Sequence, residues 1–205
     1  MKNHIRLVVF AAILTTGAGC GQQNQADSSP HHHEAPAANA MEAPKTDAIV
    51  ETTAQYSPLT PQVHKHIGQL YEAYLSLKDA LVKGDTVKAA EAARQLLLQD
   101  KNFDYSWFPA AQKASYDAIA KPLRPLVKSL AASTAIKQQR QYFEGISHQF
   151  YLMAKAFGGK PLYYEFCPMA FNDKGAYWMS ASDSIANPYF GDEMLRCGKV
   201  VEMIR

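Results

Sequence analysis

Apolar residues in the middle of the chain recur at alternating steps of four and three, a spacing that gathers them on one face of an α-helix. Val63, Ile67, Leu70, Tyr74, Leu77 and Leu81 follow it. They predict a helix capped by Thr60 and begun by Pro61, a position where the missing N–H is not needed. Gly84 stops it. Asp85 then caps a second, alanine-rich helix, "DTVKAAEAARQLLLQD"; so short a link makes the two antiparallel, with the alanines permitting close approach. "KNFDYSWFPAAQ" reads as a loop in which Trp107 and Phe108 plug one end of the helical core. Ala110 to Ala120 reads as a third helix, which Pro122 and Pro125 are expected to interrupt or kink. Leu123 to Ala135 is then either its continuation or a separate short helix. Residues 136–157 form the last long helix, with Phe143, Ile146, Phe150, Met153 and Phe157 on one face and Gly158 and Gly159 as the stop.

Four helical elements with short links predict a mainly α fold, an antiparallel four-helix up-and-down bundle. Beyond Gly159 the pattern changes. "PLYYEFCPMAF", "GAYWMS", "NPYFG" and "CGKVVEMI" are short aromatic and β-branched pieces separated by Gly, Pro, Asn and Asp. They predict an irregular C-terminal cap, residues 160–205, that is aromatic, carries Cys and Met and contains two or three short strands.

The N-terminal part does not belong to this domain. Lys2 and Arg6 precede an apolar run from Leu7 to Leu14 and the small residues of "TTGAGC", the layout of a bacterial export signal over residues 1–20. "GAGC" is similar to a lipobox, which makes Cys20 the first mature residue and a lipidation site. Gly17 stands where most lipoboxes carry leucine, so an ordinary cleaved signal is the alternative. No Asp follows Cys20, which points to retention at the outer membrane and a periplasmic location in the cell envelope. Residues 21–57, rich in Gln, Ala, Pro, Ser and Thr, have too little apolar surface to order and read as a tether. Within it the tract His31 to His33 can collect Cu or Zn, or be plain solvated chain. The folded domain is expected over residues 58–205.

Charge adds an exclusion. Of 21 basic residues, Lys2 and Arg6 leave with the signal, and the 19 that remain match the 19 acidic ones. A mature chain of zero formal charge gives no support for nucleic-acid binding, which wants a basic footprint. Catalysis has no sequence support either: the chain contains no "GxSxG", "HExxH", phosphate-binding glycine loop or "CxxCH". A non-enzymatic role is expected.

The candidate chemistry is sulfur. Cys167, Met169, Met179, Met194, Cys197 and Met203 all follow Gly159, whereas residues 42–159 contain only Met153. If "FCPMA" is extended, Cys167 and Met169 point to one side, stiffened by Pro168; "MLRCG" offers Met194 and Cys197 on one face of a helical turn. Thiolates and thioethers select Cu(I) or Ag(I). Core filling and a Cys167–Cys197 disulfide are the alternatives, the latter closing a loop of about thirty residues and contributing about 3–4 kcal/mol. A thiol redox pair is a further possibility and would need a low-pKa thiolate. His148 lies off the apolar stripe of its helix and is open to either a solvated role or ligation. His64 and His66 read as surface residues.

Several blocks, "AYLSLKDALVKGD", "QRQYFEGISHQF", "AKAFGG", "YEFCPMAFNDKGAYWMS" and "IANPYFGDEMLRCGKV", together resemble an uncharacterised bacterial domain family over residues 62–204. That family occurs as exported lipoproteins and appended to periplasmic adaptor subunits of copper and silver efflux pumps. The resemblance implies soft-metal capture, with Cys167, Met169 and Cys197 as ligands, Met194 and Met179 as additions, and an efflux adaptor as partner. The chain lacks adaptor hairpin or barrel sequence. A metal-free envelope interaction module pinned by a Cys167–Cys197 disulfide is the competing expectation.

Overall fold

The computed structural model describes residues 49–205, so the export signal, Cys20, His31 to His33 and the first part of the tether lie outside the described residues. Four long helices follow one another: α1 (Pro61–Val82), α2 (Thr86–Lys101), α3 (Ala110–Ala132) and α4 (Ile136–Phe157). Their buried stripes are those that the periodicity selects, and Val63, Leu77, Leu81, Phe143, Ile146 and Phe150 are fully buried. The caps behave as expected. The Thr60 side chain accepts from Val63 N–H and Asp85 from Lys88 N–H, each satisfying a first-turn donor that the helix itself leaves free. No helix among the described residues is long and apolar enough to cross a membrane.

Pro122 and Pro125 do not break α3, which runs continuously through both. The reason is their placement. Both are solvent-exposed, so water satisfies the carbonyls their rings free, while Tyr116, Ile119, Leu123, Val127 and Leu130 carry the buried stripe past them. Only half of the expected end plug forms: Phe108 is buried, whereas Trp107 is half exposed.

His66 is not a surface residue. It is buried against Phe103, their rings stacked 3.9 Å apart. Tyr116 donates its hydroxyl proton to Asp100 Oδ1 at 2.7 Å, so its oxygen accepts from His66 Nε2–H at 3.0 Å, which assigns the tautomer. Arg124 Nε donates to Asp100 Oδ2 at 2.6 Å and the Tyr105 hydroxyl also donates to Asp100. Burial lowers the His66 pKa to about 4 despite the Asp100 charge nearby.

Beyond α4 the chain forms a small mixed sheet. The strands β1 (Val50–Thr52), β2 (Leu162–Cys167), β3 (Ala176–Ser180) and β4 (Lys199–Ile204) lie in the order β1-β4-β2-β3. β4 runs antiparallel to β2 and parallel to β1. A short helical turn, α5 (Ala170–Asp173), joins β2 to β3. The presence of β1 shortens the expected tether, because residues from Val50 onward are ordered by backbone bonding rather than by apolar burial. Gln55 and Tyr56 N–H donate to the Lys155 and Ala156 carbonyls at 2.9 and 2.8 Å, satisfying the open end of α4.

Sheet and helices meet at Tyr74. Its ring stacks on Phe143 and Phe150 at 5.4 and 4.3 Å, while its hydroxyl bonds Ser147 Oγ at 2.8 Å and accepts the Met179 N–H of edge strand β3 at 3.0 Å. Replacing Tyr74 by Phe keeps the stack but leaves that buried N–H without an acceptor. Tyr74→Phe is expected to lower unfolding free energy in urea by about 1–3 kcal/mol; a loss below about 0.5 kcal/mol, the usual range of a surface substitution, would show that the hydroxyl does not join sheet to helices.

Candidate functional site

Sheet register decides where the sulfurs go. Cys167 ends β2 opposite Ala176, and Glu165 lies opposite Trp178. With a side-chain period of two, these four residues share one face. All are buried. Tyr164, Phe166 and Tyr177 occupy the other face, where Tyr151 of α4 stacks on Tyr164 at 4.1 Å and Tyr164 on Tyr177 at 4.8 Å.

Cys197 arrives from a separate segment. Gly191–Met194 forms a single 3-10 turn, after which Cys197 N–H donates to the Met194 carbonyl at 3.0 Å. The Asn187 side chain donates to the Cys197 carbonyl at 2.8 Å and accepts from Tyr189 N–H, locking the approach to β4. The result is a Cys167 Sγ to Cys197 Sγ distance of 2.9 Å, with Cys167 buried and Cys197 half-buried. Proximity to the Cys167 thiol, followed by partial burial, raises the Cys197 pKa, with Met169 N–H opposing. A raised pKa is the reverse of an activated thiolate.

The methionines and the histidine separate from this pair in different ways. Met169 does not share the side of Cys167. Its backbone is αR rather than extended, so the chain turns at Pro168 and exposes the thioether while Cys167 stays inside. Met194 touches the site through its carbonyl and is half-buried. Met179 is fully buried opposite Tyr164, on the other face of the sheet and three residues along β3 from the partner of Cys167. It packs as core. His148 is exposed in the middle of α4. Among the described residues no group of three or more His, Cys, Asp or Glu is placed to hold a metal ion, so the thiol pair is the donor set to be tested, with the thioethers outside that count.

The turn after Pro168 is strained. Phe171, Asn172 and Asp173 have φ of 54°, 58° and 62°, a left-handed run that costs L-residues about 1–2 kcal/mol each. Gly175 closes it at φ 78°, and a Cβ there would overlap the Phe166 ring. Gly175 N–H donates to the Ala170 carbonyl at 3.0 Å. The turn forms one wall of an open cavity of about 950 Å³, whose opposite wall is the first half of α4.

Glu165 escaped attention in the sequence, where its only signal is a lone acid in the apolar strand "LYYEFC". It is fully buried, and neither carboxyl oxygen has a hydrogen-bond partner. Trp178 Nε1, across the strand pair, is also without one. Burial pushes the carboxyl up to about 8, opposed first by the Lys78 charge from α1 and then by Trp178, which is close without being aligned. It stands two residues from Cys167 on the same face.

A family model described as a protein of unknown function (DUF3347) matches residues 70–161. The match begins at Leu70 within α1 and ends just before β2, covering the helices and stopping short of both cysteines. It is consistent with the uncharacterised domain family that the sequence blocks resemble. No curated protein and no solved structure matches the chain.

Glu165 has a folded pKa of about 8, above its ordinary 4.5, so the fold holds a proton that the unfolded chain releases between these values. Its contribution is therefore complete below about pH 4.5 and is lost as pH rises to about 8. Glu165→Gln, which mimics the protonated acid, is expected to raise Tm relative to wild type by an amount that grows from pH 4.5 to 8. His66 has the opposite slope, losing stability as pH falls from 6.5 to about 4, but this is common to both proteins and cancels in the difference. Parallel Tm curves across the window would contradict a proton on buried Glu165.

Proposed function

We propose that this is an exported protein, anchored to the outer membrane through lipidated Cys20, that binds Cu(I) or Ag(I) in the cell envelope and buffers it or passes it to a heavy-metal efflux adaptor. Its helices are read as an up-and-down bundle that carries the cap, and no catalysis is required. The observation that carries the reading is the convergence of Cys167 and Cys197, thirty positions apart, at 2.9 Å. Two thiols suit a soft monovalent ion better than Zn(II), which wants four donors. Cys167 and Cys197 would hold the ion as thiolates, with Met169 or Met194 able to add a thioether only by moving toward them. The resemblance of the sequence blocks to domains appended to copper and silver efflux adaptors supports the partner by association alone.

A second reading is favoured by the same distance. Two sulfurs on one metal stand about 3.7–4.6 Å apart for bonds of about 2.3 Å, so 2.9 Å lies between that spacing and a disulfide of about 2.05 Å. In this reading the pair is a structural bridge in the oxidising periplasm and the protein is a metal-free envelope interaction module. Bridge and ligand pair are then two redox states of one site.

Anaerobic Cu(I) titration of the reduced protein against a competing chelator separates them. Wild type is expected to bind one ion tighter than micromolar, and Cys167→Ser to weaken it by about a hundredfold or more, beyond the 10–100-fold typical of outer-shell changes. Met169→Leu, at the exposed side of the turn, should have a smaller effect. Micromolar or weaker binding, equal in wild type and Cys167→Ser, would end the metal reading. Stabilisation of the air-oxidised over the reduced protein by about 3–4 kcal/mol would then establish the bridge.

A further inference from the structure

We propose that the open cavity between the first half of α4 and the left-handed turn after Pro168 is a binding site for a small organic anion that carries an aromatic ring. The site shares Met169 with the proposed sulfur chemistry, but neither cysteine lines this cavity.

At about 950 Å³ the cavity falls within the range of about 300–1,000 Å³ common for small-molecule sites. Its lining divides into two kinds of surface. One is aromatic: Phe171, Tyr189 and Phe190, with Phe171 and Tyr189 packed edge to face at 5.3 Å. The Tyr189 hydroxyl is already committed to the Tyr177 carbonyl, so this surface presents rings rather than hydroxyl groups. The other is cationic: Arg140 in the wall, Lys137 and Lys174 at the exposed rim.

Arg140 is the distinctive residue. Among the described residues its one hydrogen bond is a long one, from Nη2 to the Leu81 carbonyl at 3.3 Å, and its Nε is shielded from water without a partner. Gly191, at φ 61°, lets the guanidinium pass; a Cβ there would come within 2.9 Å of Nη2. Holding Leu81 could be done by a neutral amide. Arg140 lines the cavity instead as a half-buried cation, and a guanidinium suits the paired oxygens of a carboxylate or sulfonate. Glu193 and Glu144 also line the cavity; both are exposed and neither hydrogen-bonds Arg140, although the Glu193 charge is close enough to favour its cationic form.

The backbone supplies the second argument. Three consecutive non-glycine residues are held left-handed, a conformation that persists only where the surroundings impose it and that clusters at ligand-binding sites. Here it sets Phe171 in the cavity wall, on the side opposite the α4 residues. The strain therefore serves the shape of the cavity, since the cap's core residues Cys167, Ala176 and Trp178 are buried outside the turn.

Fluorescence titration of the full chain with 8-anilinonaphthalene-1-sulfonate, an aromatic anion, and with N-phenyl-1-naphthylamine, its neutral counterpart, tests the site. Wild type should bind the sulfonate saturably with one site per chain. Arg140→Gln should weaken the sulfonate by about tenfold or more while changing the neutral probe by less than about twofold, the loss expected for one charge-assisted pair. Circular dichroism and melting establish that the variant is folded. If Arg140→Gln does not fold, the exposed double variant Lys137→Gln, Lys174→Gln decides: selective loss of the sulfonate supports the site. No saturable binding to folded wild type, equal weakening of both probes, or no change in the folded variants would overturn it.

Discussion

The structure turns on the Tyr74 side chain, which belongs to two layers at once. Its ring is stacked on Phe143 and Phe150 inside the helices, and its hydroxyl takes an N–H from the edge of the sheet. An edge strand otherwise exposes a row of unpaired donors, and here one of them is buried against α1 and α4. Because the same side chain satisfies both, β3 cannot shift register without opening the helical core. The register of β3 in turn places Ala176 opposite Cys167 and Trp178 opposite Glu165. The face shared by Cys167 and Glu165 is lined from β3 by that alignment.

Two polar clusters, one partly and one fully buried, show opposite solutions to one problem. At one end of the helices, Asp100 is surrounded by Arg124, Tyr105 and Tyr116, and His66 completes the chain of donors. Each group has a partner, so burial is offset and the network specifies how α1, α2 and α3 meet. In the sheet, Glu165 and Trp178 are buried side by side with their polar atoms unmatched. An unmatched buried carboxyl is expensive when ionised, and the proton it retains is the cheapest relief. The contrast marks Glu165 and Trp178 in the sheet as one place where the fold carries an energetic penalty. The left-handed turn beside it is a second such penalty.

Much of the helical architecture was legible because helix stripes are local: residues three and four apart meet whatever the rest of the chain does. The caps at Thr60 and Asp85 and the stop at Gly158 are local too. The prolines of α3 misled because a proline's effect depends on which face it occupies, and α3 turns both outward. His66 misled because its neighbour Phe103 comes from a different segment. β1 was hidden in a tether-like composition, since what orders it is backbone pairing with β4 and capping of α4, neither of which leaves a compositional trace. In the candidate site, the two cysteines stood out by type and the resemblance of their surroundings, whereas Glu165 had only its isolation among apolar neighbours. Grouping Met169 with Cys167 assumed an extended chain through Pro168, and the turn there parts them.

By itself the sequence determined the first, second and last long helices, their buried faces and the abrupt change of character after Gly159, because periodicity and capping act within a few residues. It also determined that sulfur is concentrated in the final segment. Tertiary structure alone decided which sulfurs meet. Cys167 and Cys197 come together because β2 and β4 are neighbours in the sheet and Asn187 fixes the loop between, while Met179 is carried to the other face by the period of two. It also decided that Arg140 and a strained aromatic turn line one cavity. Contacts of that kind depend on register and packing between distant segments, and no spacing along the chain encodes them.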